Sequence, residues 1–584
     1  MTEDPVPIEW SVRDGERIKW TKPMPAGGQS GIAIAGDLIF LTINPPLETS
    51  PYKQLEAEYS KTRAEYERRY QTAATSLSRE ADPAYLKALA ELEQAKVDWE
   101  NLLSSTKGYA KASAKQRAKI RQGLRKKDPA GKALSDSTKA VEQLVHNRDP
   151  DLMQIQSRNQ SVNREMRAGG NSADIILLCL NAETGKTLWE RTVRGELVSD
   201  YNYGFSDSTT PCPITDGEYV WAINASGGMA CFTIEGDLAW ERSWMPSTGR
   251  PFNKQYDSIR VQKSILSVEP PLKGDAKRNP QWNYLHAFDT ETGEHQWTSE
   301  DAITHYNTPI YGKTASGQHA VLIGRGGPHG VPERPVGLSL VSAEPDNGGK
   351  AIWHWESTEE NKISGWGSLN TQFWDTGTAN WIQNDTTVRV DTTNGKQLGQ
   401  HTFKTIDQLN FDETTQQYQL TKDVELESCD WAWYANFPVG DRLYFLARHA
   451  PYLFCQDLET GKTIQLELPR EFNDDGSYVW HTPQSNDGLN SRGQRHSNDS
   501  RTLGDGFQRC FLGTPTLVNN YLFFTNAIGI VYVIDTEAET FDQRALVAVN
   551  DLGQRGQTWT VNSLSYANGN IYHRTLKEVI CIGN

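Results

Sequence analysis

The residues of this 584-residue chain best equipped for chemistry come in short clusters just ahead of β-forming runs. The segments "SDYNYGFSDST", "DAITHYNT", "SGWGSLNT", "CDWAWYANF", "GFQRCFLGT" and "GQTWTVNS" offer Tyr203, His305, Tyr306, Trp366, Trp431, Trp433, Arg509 and Trp559. Two more, "GRGGPHGVPERP" and "ARHAP", add Arg325, His329, Arg448 and His449. Aromatic rings mixed with cationic and hydrogen-bonding side chains make the kind of surface that stacks on sugars or holds an anion. Acid–base chemistry lies within the same set. A glycoside hydrolase needs two carboxylates about 5–10 Å apart, and Asp207, Asp430 and Asp505 all stand in these connections. A uronate lyase needs a His or Tyr base with a cation beside it, roles open to His305, Tyr306, His329 and Arg325. His305 and His329 have no third ligand at metal-site spacing, so no metal centre is expected.

A repeat must position these groups. "LLCLNAETGKTLWERTV" returns as "MACFTIEGDLAWERSW", "LHAFDTETGEHQWTSE", "LVSAEPDNGGKAIWHWES", "VRVDTTNGKQLGQHTF", "LFCQDLETGKTIQLELP" and, more loosely, "VYVIDTEAETFDQRALVAV". Each copy sets β-formers on both sides of a turn rich in Asp, Asn and Gly, which predicts a hairpin. A second two-strand unit precedes each copy, as in "SGIAIAGDLIFLT", "TPCPITDGEYVWAI" and "GTPTLVNNYLFFT". One period is therefore four antiparallel strands, A to D. The fold class expected is all-β, an eight-bladed β-propeller of four-stranded antiparallel blades. The final period ends in the single strand "VICIGN", and the N-terminal "VRDGERIKWTKP" is expected to supply the missing outer strand, which would remove an open edge.

Two segments break the period. Residues 44–172, including "YSKTRAEYERRYQTAATSLSREADPAYLKALAELEQAKVDWENLL", have helical spacing and predict an α-helical hairpin or bundle inserted in blade one. Residues 1–43 then form the closing strand and the first strands of blade one, and 173–584 the remaining blades. The polar excursion "REFNDDGSYVWHTPQSNDGLNSRGQRHSNDSRTLGDGFQRC" joins blades six and seven; connections of this length commonly carry function. In a four-stranded blade the A–B and C–D turns share one face. The insert, the excursion and the aromatic D-to-A connections then share the other, where a ligand funnel is expected.

Composition narrows the class. A formal net charge of −15 argues against nucleic-acid binding. No apolar run reaches the roughly 20 residues a membrane helix needs. The acidic, Pro-containing start is read as following a removed secretion signal, which predicts a periplasmic or secreted protein. Seven Cys occur without a CxxC or an adjacent pair. Cys179, Cys231, Cys455 and Cys581 fall at one repeat position and are expected in the core, whereas disulfides among Cys212, Cys429 and Cys510 are left open. The basic run at residues 107–127 reads as a solvated helix face.

The apolar run, the turn in "AETGKTLW" and "TETGEHQW" and the Trp that follows resemble the repeat of the pyrroloquinoline quinone-like (quinoprotein alcohol dehydrogenase-like) β-propeller superfamily. That superfamily includes the lipoprotein of the outer-membrane barrel assembly machinery. The stretch "TPCPITDGEYVWAINASGGMACFTIEGDLAW" with the C-terminal segment from "NDLGQRGQTWTVNS" onward also resembles secreted planctomycete-type propellers. Such a resemblance implies a fold more than a function. A quinoprotein dehydrogenase would require the quinone, Ca²⁺, a catalytic Asp and often an adjacent Cys pair. This chain has no Cys-Cys and no segment matching the calcium or Asp motifs, so neither pyrroloquinoline quinone nor calcium is predicted. The leading expectation is a propeller that binds a glycan or protein on its elaborated face, through Tyr203, Trp366, Trp431, Trp433, Arg448, His449, Arg509 and Trp559. The helical insert is expected to mediate protein contacts or oligomerisation. The alternative is a carbohydrate-active enzyme in the central funnel, with a quinone-dependent dehydrogenase the least favoured.

Overall fold

β-branched and aromatic runs punctuated by Asp-x-x-x-Gly turns can satisfy their backbone groups only by pairing, and they pair with their immediate neighbours along the chain. The computed structural model describes the chain outside residues 1–4, 25–27, 46–50, 110–119, 122, 126, 168–172, 198–201, 204–205, 247–256, 281, 305–307, 326–336, 357–371, 375–376, 384, 428–430, 449, 474, 481–485, 492 and 494–511. It divides into two compact units, residues 49–167 and the remainder.

The larger unit is mostly β, with seven four-stranded sheets and one six-stranded sheet, numbered here in chain order. Sheet 1 runs Ala33–Ala35, Leu38–Ile43, Ile175–Asn181 and Thr187–Val193. Sheets 2 to 5 begin at Ile214, Ile259, Ile310 and Gln372 and keep the same up-and-down order. Sheet 7 comprises Thr516–Val518, Tyr521–Thr525, Ile530–Asp535 and Leu546–Asp551. In sheet 8 the N-terminal strand Ile18–Pro23 pairs antiparallel with Glu578–Ile582, outside Asn570–Arg574 and Ser565–Ala567. Second and third strands are buried almost throughout, while outer strands such as Leu238–Ser243 alternate exposed and half-buried positions. This is the burial expected when both faces of a sheet are covered near its centre and open at its rim.

The expectation of four strands in every blade fails at sheet 6. Beyond the run Trp431–Val439, Arg442–Ala447, Tyr452–Asp457 and Thr463–Glu467, a hairpin of Thr405–Asp412 and Gln417–Glu425 adds two strands. Thr405–Asp412 joins parallel to Thr463–Glu467. Asp412 organises its tip by accepting the backbone N–H groups of Thr414 and Thr415, which holds its carboxyl below the usual range.

Successive sheets share hydrophobic cores. Phe40 and Cys179 of sheet 1 pack with Val220 and Phe232 of sheet 2, and Leu340 of sheet 4 with Trp381 and Val390 of sheet 5. The sharing continues from sheet 7 to sheet 8 and from sheet 8 back to sheet 1, where Tyr572, Val579 and Cys581 meet Ile39, Leu41 and Leu180. The recurrent Trp has a specific partner. Trp20, Trp189, Trp240 and Trp353 each donate their indole N–H to a backbone carbonyl of the next sheet, at 2.7–3.0 Å. Each ring also lies over a turn glycine there. A Cβ at Gly185 would sit 2.6 Å from the Trp20 ring, and Gly185 has φ +66, so both the close approach and the backbone favour glycine.

The smaller unit is helical: α1 Pro51–Arg79, α2 Pro83–Ser105, α3 Pro129–Arg148 and α4 Asp151–Arg167. Asp82 and Asp128 cap α2 and α3, each followed by Pro at the first helical turn. Leu77, Tyr85, Leu92, Val141, Val145 and Leu152 form its core. Among the described residues no helix is long and apolar enough to cross a membrane.

Candidate functional site

Around sheets 8, 1 and 2 the described connections that enter the first strands meet at a buried polar node. Arg574 ends the second strand of sheet 8 and is 1% exposed. Its guanidinium donates to Ser30 Oγ at 2.7 Å and to the Thr42 carbonyl at 2.6 Å, both in the first half of sheet 1 and its lead-in. Asp207, also fully buried, accepts the Thr209 N–H at 2.8 Å and its hydroxyl at 2.5 Å. Thr209 Oγ1 in turn accepts the Gln29 N–H at 2.7 Å, and the Thr42 hydroxyl donates to the Thr209 carbonyl at 3.0 Å. Burial pushes Arg574 down to about 10 against the opposing pull of the Asp207 carboxylate. Beside them the Cys212 N–H donates to Asp257 at 2.7 Å, and burial raises the Asp257 carboxyl to about 6. This node ties sheets 8, 1 and 2 together by hydrogen bonds, with Asp207 and Arg574 committed to that framework.

An open cleft of about 790 Å³ lies elsewhere, beside the outer strand of sheet 7. Three segments wall it. The added hairpin of sheet 6 contributes Phe411, Glu413, Gln416 and Tyr418; the polar excursion after sheet 6 contributes Pro469, Asn473 and Ser477 to Trp480; sheet 7 contributes Gln543, Leu546 to Val549 and the following Arg555. The excursion folds back on itself, Glu471–Phe472 pairing with Tyr478–Val479. Its Trp480 stacks on Phe411 with ring centroids 3.9 Å apart and planes 9° apart, and Tyr418 and Tyr478 meet Trp480 edge-on. Trp480 is buried by this packing, while Tyr478 remains 45% exposed.

Polar groups fix one end of the cleft. Arg13, from the N-terminal segment, donates to the Asn473 carbonyl at 3.0 Å, and Arg555 donates to Asn473 Oδ1 at 3.3 Å. Asp551 anchors that N-terminal segment by accepting Ser11 Oγ at 2.6 Å and the Arg13 N–H at 2.9 Å. Glu471 is buried behind these groups, and burial pushes its carboxyl up to about 7; Arg555 and Arg13 pull it down and Asp551 pushes it further up.

The residues singled out in the sequence fall in three groups. Asp207 belongs to the buried node, and Trp559 is 1% exposed, enclosed in the core shared by sheets 6 and 7. Arg325 and Arg448 are half-buried at strand ends. Arg325 lies 4.0 Å from Glu356, and burial lowers it; His354, which contacts Asp301 at 3.3 Å, is likewise lowered by burial and by the nearby Arg325. Tyr203, Trp431 and Trp433 stand in strands whose side chains lie outside the described residues, as do His305, Tyr306, His329, Trp366, Asp430, His449, Asp505 and Arg509 entirely. Cys429 and Cys510 are outside them too, whereas Cys179, Cys212, Cys231, Cys455 and Cys581 are free thiols. The cleft residues Phe411, Tyr418, Tyr478 and Trp480 were not singled out. The excursion itself carried a signal, "GSYVW" inside a polar stretch, and so did the alternating "TIDQLNFDETTQQYQL".

Residues 142–299 match the family described as outer membrane protein assembly factor BamB, and the four-stranded repeats resemble those of pyrroloquinoline quinone-like propellers. Among solved structures, BamB from Moraxella catarrhalis is 14% identical, covering 63% of this chain and 95% of its own, with a TM-score of 0.31. The quinohemoprotein alcohol dehydrogenase from Comamonas testosteroni is 12% identical, covering 71% and 73%, with a TM-score of 0.39. A europium-containing methanol dehydrogenase is 9% identical over 68% and 78%, with a TM-score of 0.40. No curated protein matches the chain.

Proposed function

We propose that this protein is a periplasmic or secreted ligand-binding propeller that takes a glycan or protein ligand at the cleft beside sheet 7. Its eight sheets form a ring of blades closed by the N-terminal strand. The unbroken sequence of shared cores and the Trp20 contact on the next turn support that ring. The observation that carries the binding reading is the cleft itself. Its aromatic wall is stacked in place before any ligand arrives, which lowers the ordering cost of binding. The reading invokes no cofactor. Screening the intact protein against a glycan array and a displayed peptide library tests it: at least one class is expected to bind, with binding reduced in Tyr478→Ala. Silence in both screens would remove the proposal.

A carbohydrate-active enzyme is the second reading, and release of reducing ends from a polysaccharide by the intact protein would establish it. The helical unit, whose Leu86, Val97 and Met153 are exposed, serves in this proposal as a protein-contact or self-association surface. A sedimentation comparison with Val97→Lys and Met153→Lys variants tests that role.

A further inference from the structure

We infer that the ligand of the sheet 7 cleft is a neutral oligosaccharide, held against Tyr478 and hydrogen-bonded by Gln543 and Gln416. The inference rests on the binding reading above and names its ligand class.

The first argument is the arrangement of apolar and polar surface. A pyranose presents a C–H face and a rim of hydroxyls, so its site needs a flat apolar platform bordered by groups that both donate and accept. Tyr478 provides the platform. Phe472, tilted at 5.5 Å, and Trp480, edge-on at 6.1 Å, fix its ring, yet 45% of the residue stays exposed. Neutral amides supply the border. Gln543 is exposed on the cleft and bonded to no other side chain among the described residues; the exposed Gln416 spends its Nε2 on the Glu413 carbonyl at 2.7 Å and keeps its amide oxygen as an acceptor. An amide both donates and accepts, as a sugar hydroxyl requires of its partner.

The second argument is charge. The lining includes one anion, Glu413, and one cation, Arg555, and the latter is already engaged by Asn473. A uronate chain or a phosphorylated ligand would need an excess of cations that this lining lacks. The size agrees: about 790 Å³ lies within the roughly 300–1,000 Å³ typical of small-ligand sites.

The test uses the full chain and titration calorimetry with neutral cello-, xylo-, manno- and malto-oligosaccharides, an oligogalacturonate, and any peptide recovered by display. At least one neutral glycan is expected to bind. Tyr478→Ala is expected to weaken it about tenfold or more, with near-ultraviolet circular dichroism showing the protein still folded, and Gln543→Ala a few-fold with an unchanged unfolding midpoint because that side chain is exposed. Preference for the oligogalacturonate, sensitive to Arg555→Met, would overturn the neutral assignment. Neutral-glycan binding indifferent to both variants would overturn the location. Binding of a displayed peptide without any glycan would overturn the ligand class while leaving the binding reading intact, and no ligand of either class would remove both.

Discussion

Single residues here act mainly by filling space that a neighbouring sheet has left for them. Gly293 takes φ +71, and a Cβ there would lie 2.6 Å from the Trp240 ring. Gly293→Ala is therefore expected to cost about 2–4 kcal/mol, from backbone strain and displacement of a packed indole together, measured by urea unfolding. Arg574→Met would leave Asp207 buried without its compensating charge. A loss of about 3–5 kcal/mol is expected, with partial recovery in Arg574→Lys, because the bonds to Ser30 Oγ and the Thr42 carbonyl both leave from the one nitrogen Nη1, whose charge and donors an ammonium can supply. Glu471 gives a pH dependence with a definite sign. Its carboxyl lies at about 7 in the folded chain against 4.5 as the ordinary value, so the folded state holds a proton that the unfolded state releases between those limits. Stability should fall as pH rises from about 4.5 through 7, by up to about 3 kcal/mol, and level off above. Unfolding of the wild type and Glu471→Gln at pH 5 and 8 checks this: the variant should lose that part of the slope. None of these three roles was legible in composition. The Trp and Gly of each turn were visible as a pattern, but each pairs with a residue of the next repeat, and spacing along one repeat does not show that.

At the scale of elements, the local pattern was highly informative. Alternation of apolar residues around Asp, Asn and Gly turns depends on neighbours two to six positions away, and it located the inner strands and their hairpins well. The added hairpin at residues 405–425 escaped, despite its alternation, because it lies between two copies of the repeat and its second strand, Gln417–Glu425, is largely exposed. Its attachment is parallel to Thr463–Glu467, about 57 residues onward, which no local signal specifies. The N-terminal strand offers a direct test. With residues 1–23 removed, sheet 8 keeps three strands, loses the Trp20 contact on sheet 1 and exposes the edge of Glu578–Ile582. Lower solubility and a clearly reduced thermal midpoint are expected, measured by light scattering and calorimetry.

For the whole molecule, the two compact units make a further prediction. Ile43 pairs with Ile176, so the strands on either side of the helical unit are already hydrogen-bonded to each other. Replacing residues 46–172 by a short Gly-Ser turn should leave the β unit folded, with its near-ultraviolet circular dichroism retained; loss of that signal would show that the helices are needed for folding. The amino-acid sequence by itself determined the repeat, the pairing within most sheets and the helical character of the insert, because period-two alternation, turn residues and caps act over a few positions. Tertiary structure decided which of the described aromatic rings are buried and which wall an open cleft. Trp559 and Asp207 looked like site residues and are enclosed, whereas Tyr478 and Trp480 wall an open cleft. The reason is distance along the chain: that cleft joins residues near 411–418, 469–480 and 543–555, and only the packing of one sheet against the next brings them together.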